Sequence, residues 1–340
     1  MRLLQAVLLA GTLCSCPTTF ADEVQPPLTL GADEVELAAE EPYRPQVLAG
    51  TIEELAGESV FLRTRGTLRS VPLRDVRQLR FSRPDGYDEG LLRLAADDWR
   101  GAVEHLTAAL ALESRPWVLR EIRAEIASCR RSLAEWELCV REVEEILATD
   151  PDSRHVLRLP LVWDERLPVP ERYPERPDEL TEKSPARRLT AASALLSNPQ
   201  HAAAAEAALR DLRRNGRGGL VRAAELQLWR VLLAQPQKLR LSDVEQWQER
   251  LGEFSRAFRG PGELLSGRAF RLLGDADRAA ASLLWMPLAA PLDPATRRAA
   301  LQEAAEVLEE SGRTTDAAVI RARLLPPENV PEHQDAPQCR

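Results

Sequence analysis

Apolar positions change their period three times along this chain. Between residues 47 and 82, Ile52, Val60, Leu62, Leu68, Val71, Val76, Leu79 and Phe81 supply an apolar face with charges interleaved. Gly57 and Gly66 punctuate the runs, and the pattern predicts four short strands. From residue 83 the period lengthens to that of helix. Asp88 to Glu113, DEGLLRLAADDWRGAVEHLTAALALE, reads as two helices broken at Asp97-Asp98, which can cap the second. Pro116 suits a first helical turn, and Trp117–Leu133 and Glu135–Ala148 form a second pair. Between 154 and 185 the helical period is lost. The run from Arg158 to Pro185 carries six prolines, so it cannot be a long helix. LPLVW within it reads as a short strand or an extended segment laid over the helices. The remainder is either plain connection or a loop that fills a groove. Helical spacing resumes over 186–325. Four helices are predicted over 186–258, with Leu209, Leu212, Leu226, Leu228, Trp229 and Leu233 as a buried stripe. Asn215-Gly216 and Pro236 stop helices there, and Ser242-Asp243 is an N-terminal cap.

Small and large apolar residues recur inside the helical regions. Gly90, Leu94, Ala102, Leu106 and Ala109 mark the first hairpin; Ala127, Cys139, Val143, Ile146 and Pro151 continue the pattern at an offset of 37. Gly267, Phe270, Gly274, Ala279, Leu283, Met286 and Pro291 bring it back. Ala305, Leu308, Gly312, Ala317 and Leu324 follow at an offset of 38, with Arg321 where a large apolar residue is expected. These positions resemble the tetratricopeptide repeat, in which two antiparallel helices cross through small residues such as Gly90 and Ala102. The resemblance implies a mostly α fold, a TPR-like α-solenoid of antiparallel hairpins preceded by a small β module. It covers repeats over 83–153 and hairpins within the helical region 186–325. It also implies that the first helix of each hairpin lines a groove for a protein or peptide partner. Arg93, Arg120, Arg123, Arg130 and Arg271 are the candidate protein-binding residues, able to pair with acidic groups or a chain-terminal carboxylate. The β module, with its closing Asp75-Val76-x-x-Leu79-x-Phe81, resembles small Sm-like or SH3-like barrels. Some of those bind RNA, which is one reading of Arg63, Arg65, Arg69, Arg74, Arg77 and Arg80. The other is a solvated strand face balanced by Glu53, Glu54, Glu58 and Asp75.

Charge and address narrow the function. A net charge of −8 over 340 residues argues against a general nucleic-acid binder. Arg2 and the apolar run Leu3–Leu13 read as an export signal, too short for the ~20 residues of a membrane-spanning helix. Thr19-Phe20-Ala21 suits cleavage before Asp22, making 1–21 a signal peptide. Leu13-Cys14-Ser15-Cys16 resembles a lipobox, with Cys16 as the lipidated residue and a lipid as membrane anchor. Residues 22–46 are acidic and dotted with prolines and read as a flexible linker; the polar, proline-rich 326–340 reads as a disordered tail. The expected location is the periplasm or envelope.

No constellation for catalysis stands out. Cys129, Cys139 and Cys339 lack metal-site spacing, and Cys129 and Cys139 are either a disulfide or small buried residues. His105, His155, His201 and His333 do not pair at ligand spacing, and Gly216-Arg217-Gly218-Gly219 lacks the strand and lysine of a phosphate loop. Asp97-Asp98, Glu144-Glu145 and Glu309-Glu310 are helix neighbours about 100° apart, which do not converge. Trp99, Trp117, Trp136, Trp229, Trp247 and Trp285 fall on helices as core; Trp163 is the one placed to cover a groove. The sequence therefore predicts no enzyme and no cofactor. It predicts an exported scaffold or adaptor that binds protein, the alternative being a permanent structural subunit of an envelope complex. Partner identity and oligomeric state stay open.

Overall fold

A computed structural model describes residues 33–38, 46–163, 173–289 and 294–324. Its chain is mostly helical, with a small antiparallel sheet on the N-terminal side. The sheet has five strands, β1 (Asp33–Leu37), β2 (Val47–Ala56), β3 (Ser59–Thr64), β4 (Thr67–Pro72) and β5 (Val76–Arg80), in the order β4-β3-β2-β1-β5. One strand more than expected is present, because β1 comes from the acidic stretch read as a linker. Its sequence, DEVEL, hides its character. Val35 is fully buried, while Glu34 and Glu36 face arginines of the neighbouring strand, Arg80–Glu34 at 3.3 Å and Arg77–Glu36 at 3.1 Å. An acidic segment is thus a strand here because β5 supplies opposite charge across the ladder. Arg65 and Gly66, both at positive φ, form the tight β3–β4 turn, and a 3-10 turn at Leu73–Asp75 leads into β5. The sheet's inner face does not close on itself. Ile52, Leu55, Val60 and Leu62 share one core with Tyr87, Leu106, Trp117 and Ile122 of the helices that follow.

Among the described residues there are twelve α-helices. The first four are α1 (Tyr87–Ala95), α2 (Trp99–Leu112), α3 (Pro116–Ser132) and α4 (Trp136–Thr149). After a long excursion come α5 (Pro185–Leu195), α6 (Ala202–Asn215), α7 (Gly218–Leu233) and α8 (Leu241–Glu253). The last four are α9 (Arg256–Leu272), α10 (Ala276–Ala289), α11 (Pro294–Glu310) and α12 (Thr314–Ala322). Four of the inter-helix turns are built alike. Asp97, Ala134, Gly274 and Gly312 each adopt the left-handed conformation. The next residue's N–H reaches back five residues: Asp98 to Arg93 O (2.9 Å), Glu135 to Arg130 O (2.9 Å), Asp275 to Phe270 O (2.9 Å) and Arg313 to Leu308 O (2.8 Å). This closes the helix C-terminus in the Schellman manner. The turns recur at the sequence offsets of 37 and 38, so the hairpins match in hydrogen bonding as well as in residue type. Asp98 caps α2, accepting from the Gly101 N–H at 3.0 Å. At α8 the expected cap is displaced. Asp243 lies inside the first turn and accepts from the Arg240 N–H at 2.9 Å.

The close helix approach falls where small residues recur. A Cβ on Gly90 would lie 2.7 Å from Leu106 Cγ, and one on Gly267 would lie 2.7 Å from Leu283 Cγ. Ala127 and Ala305 occupy the same place in the other two hairpins, and both are buried. In the last hairpin the partner position is Arg321, which is exposed and paired with Glu309. Trp117, Trp229 and Trp247 are core residues, the last two stacked at 4.6 Å between α7 and α8. Cys129 and Cys139 are buried free thiols.

The largest departure lies in the proline-rich region. Residues 154–163 are not laid over the surface; a 3-10 turn (Arg154–Arg158) and the stretch after it run through the core. Val156 and Leu159 are completely buried, and Trp163 is 4% exposed. The segment packs on α3 and α4 to one side and on α7 and α9 to the other, joining two helix sets whose adjoining members, α4 and α5, touch only lightly. Among the described residues no helix is long and apolar enough to cross a membrane. The predicted signal peptide, Cys16 and the C-terminal tail from 326 lie outside the described residues.

Two glycine contacts give a direct test. Gly90→Leu and Gly267→Leu, each forcing a side chain into Leu106 or Leu283, should each cost about 1–3 kcal/mol in urea unfolding. Gly252→Ala, in open space on α8, should instead raise the midpoint.

Candidate functional site

The best-built polar arrangement surrounds the buried segment. A backbone taken out of water needs partners for its N–H and C=O groups, and an extended run without a neighbouring strand must find them on side chains. The first helices of successive hairpins provide them. The Val162 N–H donates to Ser193 Oγ of α5 at 2.8 Å, and the Val162 carbonyl accepts from Gln227 Nε2 of α7 at 3.2 Å. The Trp163 carbonyl accepts from Arg268 Nη1 of α9 at 2.6 Å. Behind these contacts stands a supporting layer. Ser193 Oγ donates to Gln227 Oε1 at 2.9 Å, and Arg230 Nη1 donates to that same Gln227 oxygen and to the Ser193 carbonyl at 3.0 Å. Glu303 of α11 holds Arg268 through Nε at 3.0 Å and Nη2 at 2.6 Å. Three first helices thus grip the backbone of one extended stretch, a fourth holds Arg268 in place, and Leu159, Leu161, Val162 and Trp163 bury their side chains.

The other end is pinned electrostatically to α3. Arg154 Nη2 donates to both Glu121 oxygens (2.8 and 2.9 Å), His155 Nε2 lies 2.8 Å from Glu121 Oε1, and Arg158 reaches Glu125 at 2.9 Å. Burial alone would raise the Glu121 carboxyl, but Arg154, His155 and Arg158 outweigh it and hold the group down at about 2. Burial outweighs Glu121 at His155 and lowers the imidazole below its usual range. Tyr87 is pushed up, by burial first and then by the negative Glu125 and Glu121. Cys139 Sγ donates to the Arg158 carbonyl at 3.4 Å, and burial pushes its thiol up to about 12, so it stays protonated and unreactive.

The five arginines singled out in the sequence go to different places. Arg93 pairs with Glu89 (2.8 Å) and Asp98 (3.3 Å) at the first turn. Arg120 is 4% exposed, donates to the Leu55 carbonyl at 2.8 Å and pairs with Glu54, so it clamps β2 onto α3 beside the Trp117 Nε1 contact to Ile52 O (3.2 Å). Arg123 meets Glu142 at 2.7 Å, and Arg130 pairs with Glu135. Arg271 holds Glu306 (3.0 Å) and Glu310 (2.5 Å). No two of them share a partner, and each is paired within the chain. In the β module Arg63, Arg74, Arg77 and Arg80 are likewise paired, with Glu53, Asp75, Glu36 and Glu34. Among the described residues no cluster of His, Cys, Asp and Glu could hold a metal ion. The residues that matter most here, Ser193, Gln227, Arg268 and Glu303, were not selected by spacing. Their signal was a polar residue where the helix period calls for burial, as with Gln227 between Leu226 and Leu228.

Acid should read out the α3 pin. The folded Glu121 titrates at about 2 against an ordinary 4.5, so its contribution is complete above pH ~4.5 and is lost as pH falls through that interval. Glu121→Gln should lower stability at neutral pH by on the order of 3 kcal/mol. It should also flatten the pH dependence between ~4.5 and ~2, measured by urea unfolding at stepped pH. An unchanged slope would remove Glu121 from this role.

Compared with known proteins, the chain matches no protein family, no curated protein and no solved structure.

Proposed function

We propose that the chain is an exported scaffold or adaptor of the bacterial envelope, built as a curved TPR-like solenoid that holds protein segments. The observation that carries this reading is the grip of Ser193, Gln227 and Arg268 on an extended backbone. Successive first helices present side chains to a strand-like segment and read its main chain, the mode by which such an array would hold a partner. The recurring turns at Asp97, Ala134, Gly274 and Gly312 support the solenoid. The strand order β4-β3-β2-β1-β5, with a 3-10 turn before β5, supports an SH3-like module seated against α3. The N-terminal apolar run supports export, with cleavage after Ala21 or lipidation at Cys16.

Ser193, Gln227 and Arg268 are taken up by the chain's own Val162 and Trp163, so in this reading a partner meets the scaffold elsewhere. The same observation favours a second reading, a permanent structural subunit of an envelope complex whose self-filled core serves as a rigid spacer.

Salt separates the two. A tagged full-length chain from its native host should retain a defined partner at ~0.1 M salt and lose it at ~1 M, where exposed charge contacts are screened. A partner kept in both washes is the result for a permanent apolar interface. Recovery of no partner in either wash would sink the scaffold reading.

A further inference from the structure

The excursion between α4 and α5 leaves a cleft at the seam of the two helix sets. About 450 Å³ in volume, it is floored by Leu147, Ala148, Pro151, Pro185, Ala186 and Leu220. Such a size admits a few aliphatic side chains, and the floor offers them no polar partner. Charged residues stand on both sides of the opening, Lys183 among them on the α4–α5 side. On the α6–α7 side Arg217 lines the cleft, with Arg213 and Arg214 nearby in the last helical turn of α6. All three are exposed, and none makes an ion pair among the described residues. On the α4–α5 side Glu144 is tied down by the Ser184 hydroxyl and by Arg187 at 3.3 Å, with Glu145 and Glu182 next to the lining residues in sequence. Asp152 lies against Gly218. A Cβ on Gly218 would lie 2.5 Å from its Oδ1, which places that carboxylate over the first turn of α7.

We infer that this seam is a docking site for an acidic linear protein segment carrying aliphatic anchors. Its leucine or proline side chains enter the cleft, and its carboxylates lie over Arg213, Arg214 and Arg217. The inference rests on the scaffold reading and names the partner class the scaffold takes. It also gives that partner a surface that the chain's own segment does not occupy. An anionic site at the start of α7 is not part of it, since Asp152 covers that helix end.

The test uses the full chain and a fluorescein-labelled peptide, Asp-Glu-Leu-Pro-Leu-Asp-Glu, followed by fluorescence anisotropy. Saturable binding with Kd below ~100 µM is expected. It should weaken at least about tenfold when serine replaces both leucines, and equally when amides replace the carboxylates. Two protein variants test the place. Ala148→Trp fills the cleft from an exposed position, and the double variant Arg213→Glu, Arg217→Glu reverses the rim; each should weaken binding about tenfold while keeping the wild-type thermal melt. Absence of saturable binding, or binding unchanged in Ala148→Trp, overturns the site. The same variants in the co-purification separate this inference from the scaffold reading. A partner held equally by wild type and Ala148→Trp overturns the cleft and leaves the scaffold standing. If wild type retains none, the scaffold reading falls, and the inference that rests on it falls too.

Discussion

A backbone buried without a neighbouring strand is the constraint on which this structure turns. Each unmatched N–H or C=O would cost several times what a made hydrogen bond returns, so residues 159–163 can lie inside only if side chains meet them. Ser193, Gln227 and Arg268 do so from three different helices, and Glu303 fixes the last of them from a fourth. That requirement explains why polar residues sit in otherwise apolar helix faces. It also explains why the two helix sets hold together although α4 and α5 scarcely meet. The segment acts as a key whose shape both sets must fit.

Electrostatics in this chain serve assembly more than recognition. Arginine dominates its basic residues, and many guanidinium groups bridge elements distant in sequence: Arg120 from α3 to β2, Arg154 to α3, Arg222 to Glu58, Arg268 to α11. The planar, multi-donor guanidinium suits such bridging, since it satisfies a carbonyl and a carboxylate together, as Arg120 does with Leu55 and Glu54. An arginine on a helix face is therefore poor evidence of an open groove in this chain. Arg213, Arg214 and Arg217 stand apart because, among the described residues, none of them makes an ion pair.

The hairpins were legible because their physics is local. Where helices must approach closely, only glycine or alanine fits, and Gly90, Ala127, Gly267 and Ala305 announce this at regular intervals. The turn residues Gly274 and Gly312 do likewise, although Asp97 and Ala134 adopt the same left-handed backbone without glycine's signal. Non-local features were not legible. Strand β1 reads as an acidic linker until β5 supplies its counter-charges, and the fate of LPLVW depends on helices beginning more than twenty residues later. Trp163 reads as a residue covering a groove but is buried in the core, and the polar residues around its segment announce themselves only as polar side chains at positions where the helix period calls for burial. Site residues that act through long-range hydrogen bonds carry no spacing of their own.

The reach of one contact has a consequence for how the chain comes into being. Trp163 O and the guanidinium that satisfies it are 105 residues apart, and the carboxylate behind that guanidinium lies further on still, at Glu303. Ribosomes add roughly 5–20 residues each second, so the nascent segment waits on the order of ten seconds for its acceptors. Throughout that interval Leu159, Leu161, Val162 and Trp163 have no finished interior to enter. Until α11 has emerged, the buried segment lacks its full set of hydrogen-bond partners.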